Sequence, residues 1–248
     1  LVIVFACLAL LSYLSSMLFY GSVLGVDENV FGFMMKASAK LGLTGFQYSI
    51  YGLIYILIAV GLFASRDLND KTVNYEIMTG HDRRDIYISR AVICAMLGAL
   101  GGIIMFAAVP VIDTIIYGWG GEIPVSTALI RILLLFLLYL RVSAELILIS
   151  VVVRRTYLVY IIGVVAGLME LIAAEVFEGS QYVLALTASY QILNFSTFQL
   201  NHFNNKREVF FDSVMGSETV MLVIAFYVLV TIGCLFYGYI YFDRTDLD

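Results

Sequence analysis

Arg141 and Glu145 stand four residues apart inside an uninterrupted apolar run, and Glu170 lies within the next such run. A charge in hydrocarbon is expensive and points to function by default, unless a partner or the headgroup layer lies within reach. The i,i+4 spacing sets the guanidinium and the carboxylate on one helical face, so an ion pair turned into a bundle is the economical arrangement. Two roles are open to it: structural neutralisation first, a place on a translocation path second. Glu170, Glu175 and Asp113 either give an outward cavity an acidic lining suited to cationic cargo or reach the outer headgroups, the latter fitting Glu175 better. Arg131 stands near the end of its run, where a long side chain can snorkel.

Other chemistry finds little support. His81 and His202 are isolated, with no second His or Cys at ligand spacing, so no metal site is expected. Cys7, Cys94 and Cys234 fall in apolar runs without CxxC spacing and read as buried free thiols. No Ser/His or paired-acid constellation suggests catalysis, and no GxxxxGK[ST] sequence could cradle nucleotide phosphates. The chain is therefore expected to be no enzyme, to bind no cofactor and to have no nucleic-acid partner.

The elements that position these residues follow from composition. Of 248 residues 62% are hydrophobic and 13% charged, far more apolar surface than a soluble core can hide, so lipid is expected to be much of the solvent. The apolar stretches are continuous instead of alternating, which selects helices over a barrel. The expectation is an all-α polytopic protein with six transmembrane helices, at about residues 1–20, 47–65, 91–117, 127–153, 157–177 and 219–242. The first run lacks the basic flank and small-residue cleavage site of a signal peptide, and its apolar start at Leu1 suggests that a short segment precedes it. Pro110 predicts a kink or an early stop in the third span. Gly98 with Gly102, and Gly163 with Gly167, have spacings that permit close helix approach.

Orientation follows from basic residues in the loops. Arg66, Lys71, Arg83, Arg84, Arg90, Arg154, Arg155 and Arg244 share one side, against Lys36, Lys40, Lys206 and Arg207 on the other. The richer side is expected in the cytoplasm, with both termini there and the protein multi-pass in the cell membrane. Residues 178–218 then lie outside. Their apolar content predicts an outer helical segment on the leaflet, the alternative being a loop packed over the bundle.

Residues 66–90, the loop between spans 2 and 3, hold both signs of charge yet keep Val73, Ile77 and Met78, which predicts a short helix with an apolar face and Tyr75 beside it. Gly80 can end that helix in a left-handed cap, and Asp82 can cap the next. The run Glu76–Arg90, with Asp67 and Thr72 before it, resembles the loop after span 2 in type 2 ATP-binding-cassette exporter permeases. Gly80, Arg83, Ile86, Tyr87, Ile88 and Ser89 match the family's pattern, while Arg90 replaces the usual Lys and Lys71 stands where a Gly before Thr72 is common. The motif covers about one tenth of the chain; the remaining likeness is one of architecture.

The resemblance implies a coupling helix that docks on a separate nucleotide-binding ATPase, with ATP and Mg bound there. Lys71, Thr72, Val73, Tyr75, Glu76, Ile77, Met78, Gly80 and Arg83 would form the docking region. Two permease subunits, identical or different, would complete the exporter. Small members of such families suggest amphipathic or antimicrobial peptides as cargo. The alternative from the residues themselves is a proton-coupled secondary transporter or channel using Arg141, Glu145 and Glu170.

Overall fold

The computed structural model describes residues 7, 10, 11, 14, 36–70, 72–120, 123–176, 197–201, 206–210 and 217–244. Among the described residues six helices have defined bounds: α1 Ala37–Asn69, α2 Thr72–Met78, α3 Arg83–Tyr117, α4 Val125–Val153, α5 Thr156–Val176 and α6 Ser217–Arg244. Four of them carry stretches long and apolar enough to cross a membrane, Gln47–Arg66, Arg83–Tyr117, Val125–Val153 and Val220–Arg244. The expected fifth span is the helix α5, with a shorter apolar stretch at Thr156–Glu170. Positions 7, 10, 11 and 14 are helical, and the rest of the expected first span lies outside the described residues.

These helices are apolar on their outer faces as well as inside. Ile93 and Ile104 on α3, Leu133 on α4, Val165 and Met169 on α5, and Leu229 and Ile232 on α6 are all exposed. A helix hydrophobic all round is at home in a core or a membrane, not facing water. At about 1.5 Å per residue the 35-residue α3 is roughly 52 Å long, beyond the ~30 Å hydrocarbon layer, so it must tilt or project.

α4 is the central element, packing against α1, α3, α5 and α6; α1 in turn packs on α3 and α5. Glycines set how closely they approach. A Cβ on Gly102 of α3 would stand 2.7 Å from the Tyr139 ring and 3.0 Å from Ile56. One on Gly98 would collide with the Ser143 hydroxyl, and one on Gly101 with the Tyr55 ring. The Gly98 and Gly102 spacing thus serves contacts within the bundle. Buried Tyr139 donates its hydroxyl to the Ser49 carbonyl across the α4–α1 contact at 2.9 Å. Buried hydroxyls of Ser49, Ser65, Ser143, Ser150 and Thr231 donate to carbonyls four residues back, so they enter an apolar interior already satisfied.

Pro110 does not stop α3, which continues seven residues to Tyr117, with Thr114 Oγ1 donating to the Pro110 carbonyl at 2.7 Å. Arg154, at φ 54°, closes α4 in the left-handed region and turns the chain into α5. At one end of the bundle the first amides of α1 donate to the carbonyls of Gly118 and Trp119, just beyond α3. At the other end five helices meet: Ala64, Val73, Tyr87, Val151 and Phe242 line one small cavity. That end gathers the basic residues Arg66, Arg84, Arg90, Arg154 and Arg244.

The expected outer helical segment differs where it is described. Thr197–Asn201 and Lys206–Phe210 form an antiparallel two-stranded ribbon, with Phe198 opposite Val209 and Leu200 opposite Arg207. The sequence TFQLN alternates apolar and polar residues with period two, the strand pattern, where a helix would need period 3.6. Residues 178–196 lie outside the described set.

Two substitutions test the glycine contacts. Gly102→Val should cost about 1–3 kcal/mol of stability through overpacking against Tyr139. Gly233→Ala, whose Cβ meets nothing within 4 Å, should stay within about 0.5 kcal/mol of the parent. Both are read as midpoints of reversible SDS unfolding from neutral detergent micelles.

Candidate functional site

Arg141 sits mid-way along α4, its side chain 7% exposed, and its guanidinium is held from three directions. Nε donates to Oε1 of Glu145, one turn further along α4, at 2.7 Å. Nη1 and Nη2 donate to the two carboxylate oxygens of Glu170 on α5, at 2.9 and 3.3 Å. From α6, the rings of Phe226 and Tyr227 stand with centroids 5.8 and 5.2 Å from the guanidinium carbon, within cation–π range. An arginine suits this place: its planar fork serves two carboxylates while its faces meet aromatic rings, which a lysine ammonium cannot do.

The sequence brought Arg141, Glu145 and Glu170 forward as intramembrane charges, and the structure places all three in one cluster. Phe226 and Tyr227 were not anticipated, because an aromatic residue within an apolar run carries no positional signal. An acidic cavity lining was one of the two roles expected of Glu170, and a cavity that it lines lies beside the cluster. It has a volume of about 230 Å³ and lies between α1, α4 and α5, with Leu53, Leu57, Leu146, Gly163, Glu145 and Glu170 among its lining residues.

Other expectations divide. Arg131 does not snorkel but is buried, 4% exposed, and Asp113 is buried at 1% instead of lining a cavity or reaching headgroups. Both lie where α3 and α4 pack together near their connecting loop, so the bundle closes over them. Of the three free thiols only Cys94 is buried; Cys7 is exposed and Cys234 intermediate. The Glu175 side chain and all of Lys71 and His202 lie outside the described residues. Among the described residues no three His, Cys, Asp or Glu side chains come together.

The loop after α1 holds the short helix α2. Thr79 and Gly80 donate their amides to the Tyr75 and Ile77 carbonyls, and Gly80 takes φ 94°, so the helix ends at a positive-φ glycine. Asp82 occupies the N-cap position of α3 with extended backbone, but its side chain makes no capping hydrogen bond. The apolar face is also split. Val73 is buried and Ile77 half-buried against the bundle, whereas Tyr75 and Met78 are 71% and 83% exposed. The reason is helical geometry: five residues turn about 140°, carrying Met78 away from Val73. Glu76 accepts from Arg90 at 2.7 Å, fastening α2 to α3. Thr72 is exposed and Arg83 half-buried at the start of α3. Ile86 and Tyr87, from the same motif, are buried; the Tyr87 hydroxyl donates to the Leu235 carbonyl of α6 at 2.8 Å.

Fold and site together define a helical bundle with four helices fit to cross a membrane and a buried arginine–dicarboxylate cluster beside a cavity. No protein-family model, curated protein or solved structure matches the chain.

Removing one member of the cluster strands the others. Arg141→Met should cost about 3 kcal/mol, because two carboxylates remain in a largely dry site. Adding Glu145→Gln and Glu170→Gln to it should recover most of that loss. The same SDS unfolding checks both; a single variant as stable as the parent would show that the cluster does not hold the helices together.

Proposed function

We propose that the chain is the transmembrane permease subunit of an ATP-driven exporter, multi-pass in the cell membrane with both termini in the cytoplasm. A separate ATPase subunit supplies the energy, binding ATP and Mg, and a second permease subunit, identical or different, completes the path. Amphipathic or antimicrobial peptides are the cargo class suggested by the resemblance of residues 66–90.

The observation that carries this reading is α2. A seven-residue helix between two long apolar helices turns Tyr75 and Met78 outward at the arginine-rich end, while Val73 anchors it below. Two large exposed apolar side chains on a short, fastened helix suit a docking partner better than water. A push on α2 would pass through Glu76 and Arg90 to α3, and through the Tyr87–Leu235 contact to α6. In this mechanism the partner ATPases close on nucleotide, displace α2, and shift the packing of α1 and α3 so that a path opens outward.

A second reading, a proton-coupled transporter or channel, is favoured by one observation: Glu145 and Glu170 border an open cavity beside Arg141. Cargo movement that follows an imposed proton gradient without nucleotide would favour it.

Affinity purification in mild detergent tests the exporter reading. An ATPase subunit should accompany the parent chain and be lost from the Tyr75→Glu, Met78→Glu double variant, which leaves Val73 and Glu76 in place. Absence of any ATPase from the parent, even after cross-linking, would sink the reading.

A further inference from the structure

We propose that the turn joining α4 to α5 holds the headgroup of an anionic phospholipid, with Arg155 and Tyr157 on its phosphate and one acyl chain lying along α5. The proposal goes beyond the exporter reading, because it rests on helices fit to cross a membrane and not on what drives transport.

Between Glu145 and Glu170 the sequence carries two charges, the neighbouring Arg154 and Arg155. α4 ends at Val153 and α5 begins at Thr156, so both arginines are held at the end of a helix fit to cross a membrane, the depth of the headgroups. Arg154 closes α4 in the left-handed region and is half-buried, and Arg155 follows it exposed. Nη1 of Arg155 donates to the Tyr157 hydroxyl oxygen at 3.2 Å, and among the described residues no carboxylate pairs with it. α5 packs against α1 and α4, and the described carboxylates at those helices are engaged elsewhere: Asp70 pairs with Arg66 beyond the end of α1, and Glu145 bonds Arg141 inside the bundle. Glu170 on α5 itself stands about 22 Å further along the helix axis. Arg155 thus presents its charge outward at the rim of the bundle.

The surface that continues from this charge decides the rest of the ligand. Tyr157, Ile161, Val164 and Leu168 follow one another at intervals of four, three and four residues, so they share one face of α5, and all four are exposed. From Tyr157 to Leu168 this strip runs about 16 Å, close to half of the ~30 Å hydrocarbon layer, the depth of one leaflet. Tyr157 stands at its head, with the ring on the apolar side and the hydroxyl beside the arginine, the place that tyrosine prefers at a membrane surface. A phosphodiester suits this corner: the guanidinium fork can donate two parallel bonds to phosphate oxygens, and the Tyr157 hydroxyl, which accepts from Arg155, has its own proton to donate to a third. A zwitterionic headgroup brings an ammonium that the arginine repels. An acidic soluble peptide would meet the charge but leave the strip uncovered at hydrocarbon depth. An anionic phospholipid satisfies both the charge and the strip.

The test is native mass spectrometry of the full chain released from dodecyl maltoside micelles doped with dioleoylphosphatidylglycerol or with dioleoylphosphatidylcholine. The parent should retain the anionic lipid about tenfold more tightly than the zwitterionic one, the scale of hydrogen bonds to a charged group. Arg155→Gln should abolish that preference. Arg84→Gln, which removes an equal charge from the same end of the bundle, should keep it. Inorganic phosphate in excess over the lipid should leave the lipid bound, because it lacks the chain that covers α5. Equal retention of the two lipids by the parent, equal loss of preference in the two variants, or displacement by inorganic phosphate would each overturn the proposal. The comparison of the two lipids needs only the parent chain, so it decides the matter even where a variant fails to fold.

Discussion

A single guanidinium joins three helices of this molecule. Arg141 belongs to α4, takes one carboxylate from its own helix and another from α5, and lies against two aromatic rings of α6. In an apolar interior a charge cannot stay alone, because its desolvation far exceeds what packing returns. Each partner is therefore a geometric requirement: α5 must sit where Glu170 reaches the fork, and α6 where its rings cover the guanidinium faces. Apolar side chains alone would tolerate many rotations of α5 and α6 about α4. The arginine cluster selects among them, and specificity of arrangement is the best-supported role of buried polar groups.

The other half of the bundle is positioned by close approach. Gly98, Gly101 and Gly102 on α3 and Gly52 on α1 leave room for the side chains of Tyr55, Tyr139 and Ser143, and the Tyr139 hydroxyl ties α4 to α1. In hydrocarbon no hydrophobic force draws helices together, so dispersion contacts and interhelical hydrogen bonds must do so. Large rings seated over glycines maximise the first, and the Tyr139–Ser49 bond supplies the second. The triad α1, α3 and α4 is thus held by shape, and α5 and α6 join it through the charge cluster together with the same device: Tyr160 of α5 lies over Gly61 and donates to the Ile58 carbonyl of α1 at 3.3 Å, and Tyr87 of α3 lies over Gly238 of α6.

How much of this could be read in advance depends on how local the information is. The Arg141–Glu145 pair was legible because i,i+4 is a property of one helix. Glu170 was nearly so: Arg141 lies 12 residues before the end of α4 and Glu170 14 after the start of α5, depths of about 18 and 21 Å in a tight hairpin. Helix positions came from continuous apolar runs, and the glycine-terminated α2 from a charged loop with internal apolar residues. Burial of Arg131 and Asp113 was not legible, since it depends on which neighbour covers a helix end. The split face of α2 could have been found, because the angle between Val73 and Met78 follows from their spacing alone. The paired strands within residues 178–218 were obscured by a count of apolar residues that ignored their period-two order.

These two modes of attachment respond differently to change. Contacts made by rings over glycine are short-ranged and steep, so α1, α3 and α4 can separate only by losing many contacts together. The cluster behaves differently: its bonds are few, directional and dependent on charge, so a change of charge next to Glu145 or Glu170 acts first on the contact between α4 and α5. The cavity lies along this joint, bounded by two helices of the triad and by α5. Glu170, which borders the cavity, is thus also the residue that fastens α5 to Arg141 of α4.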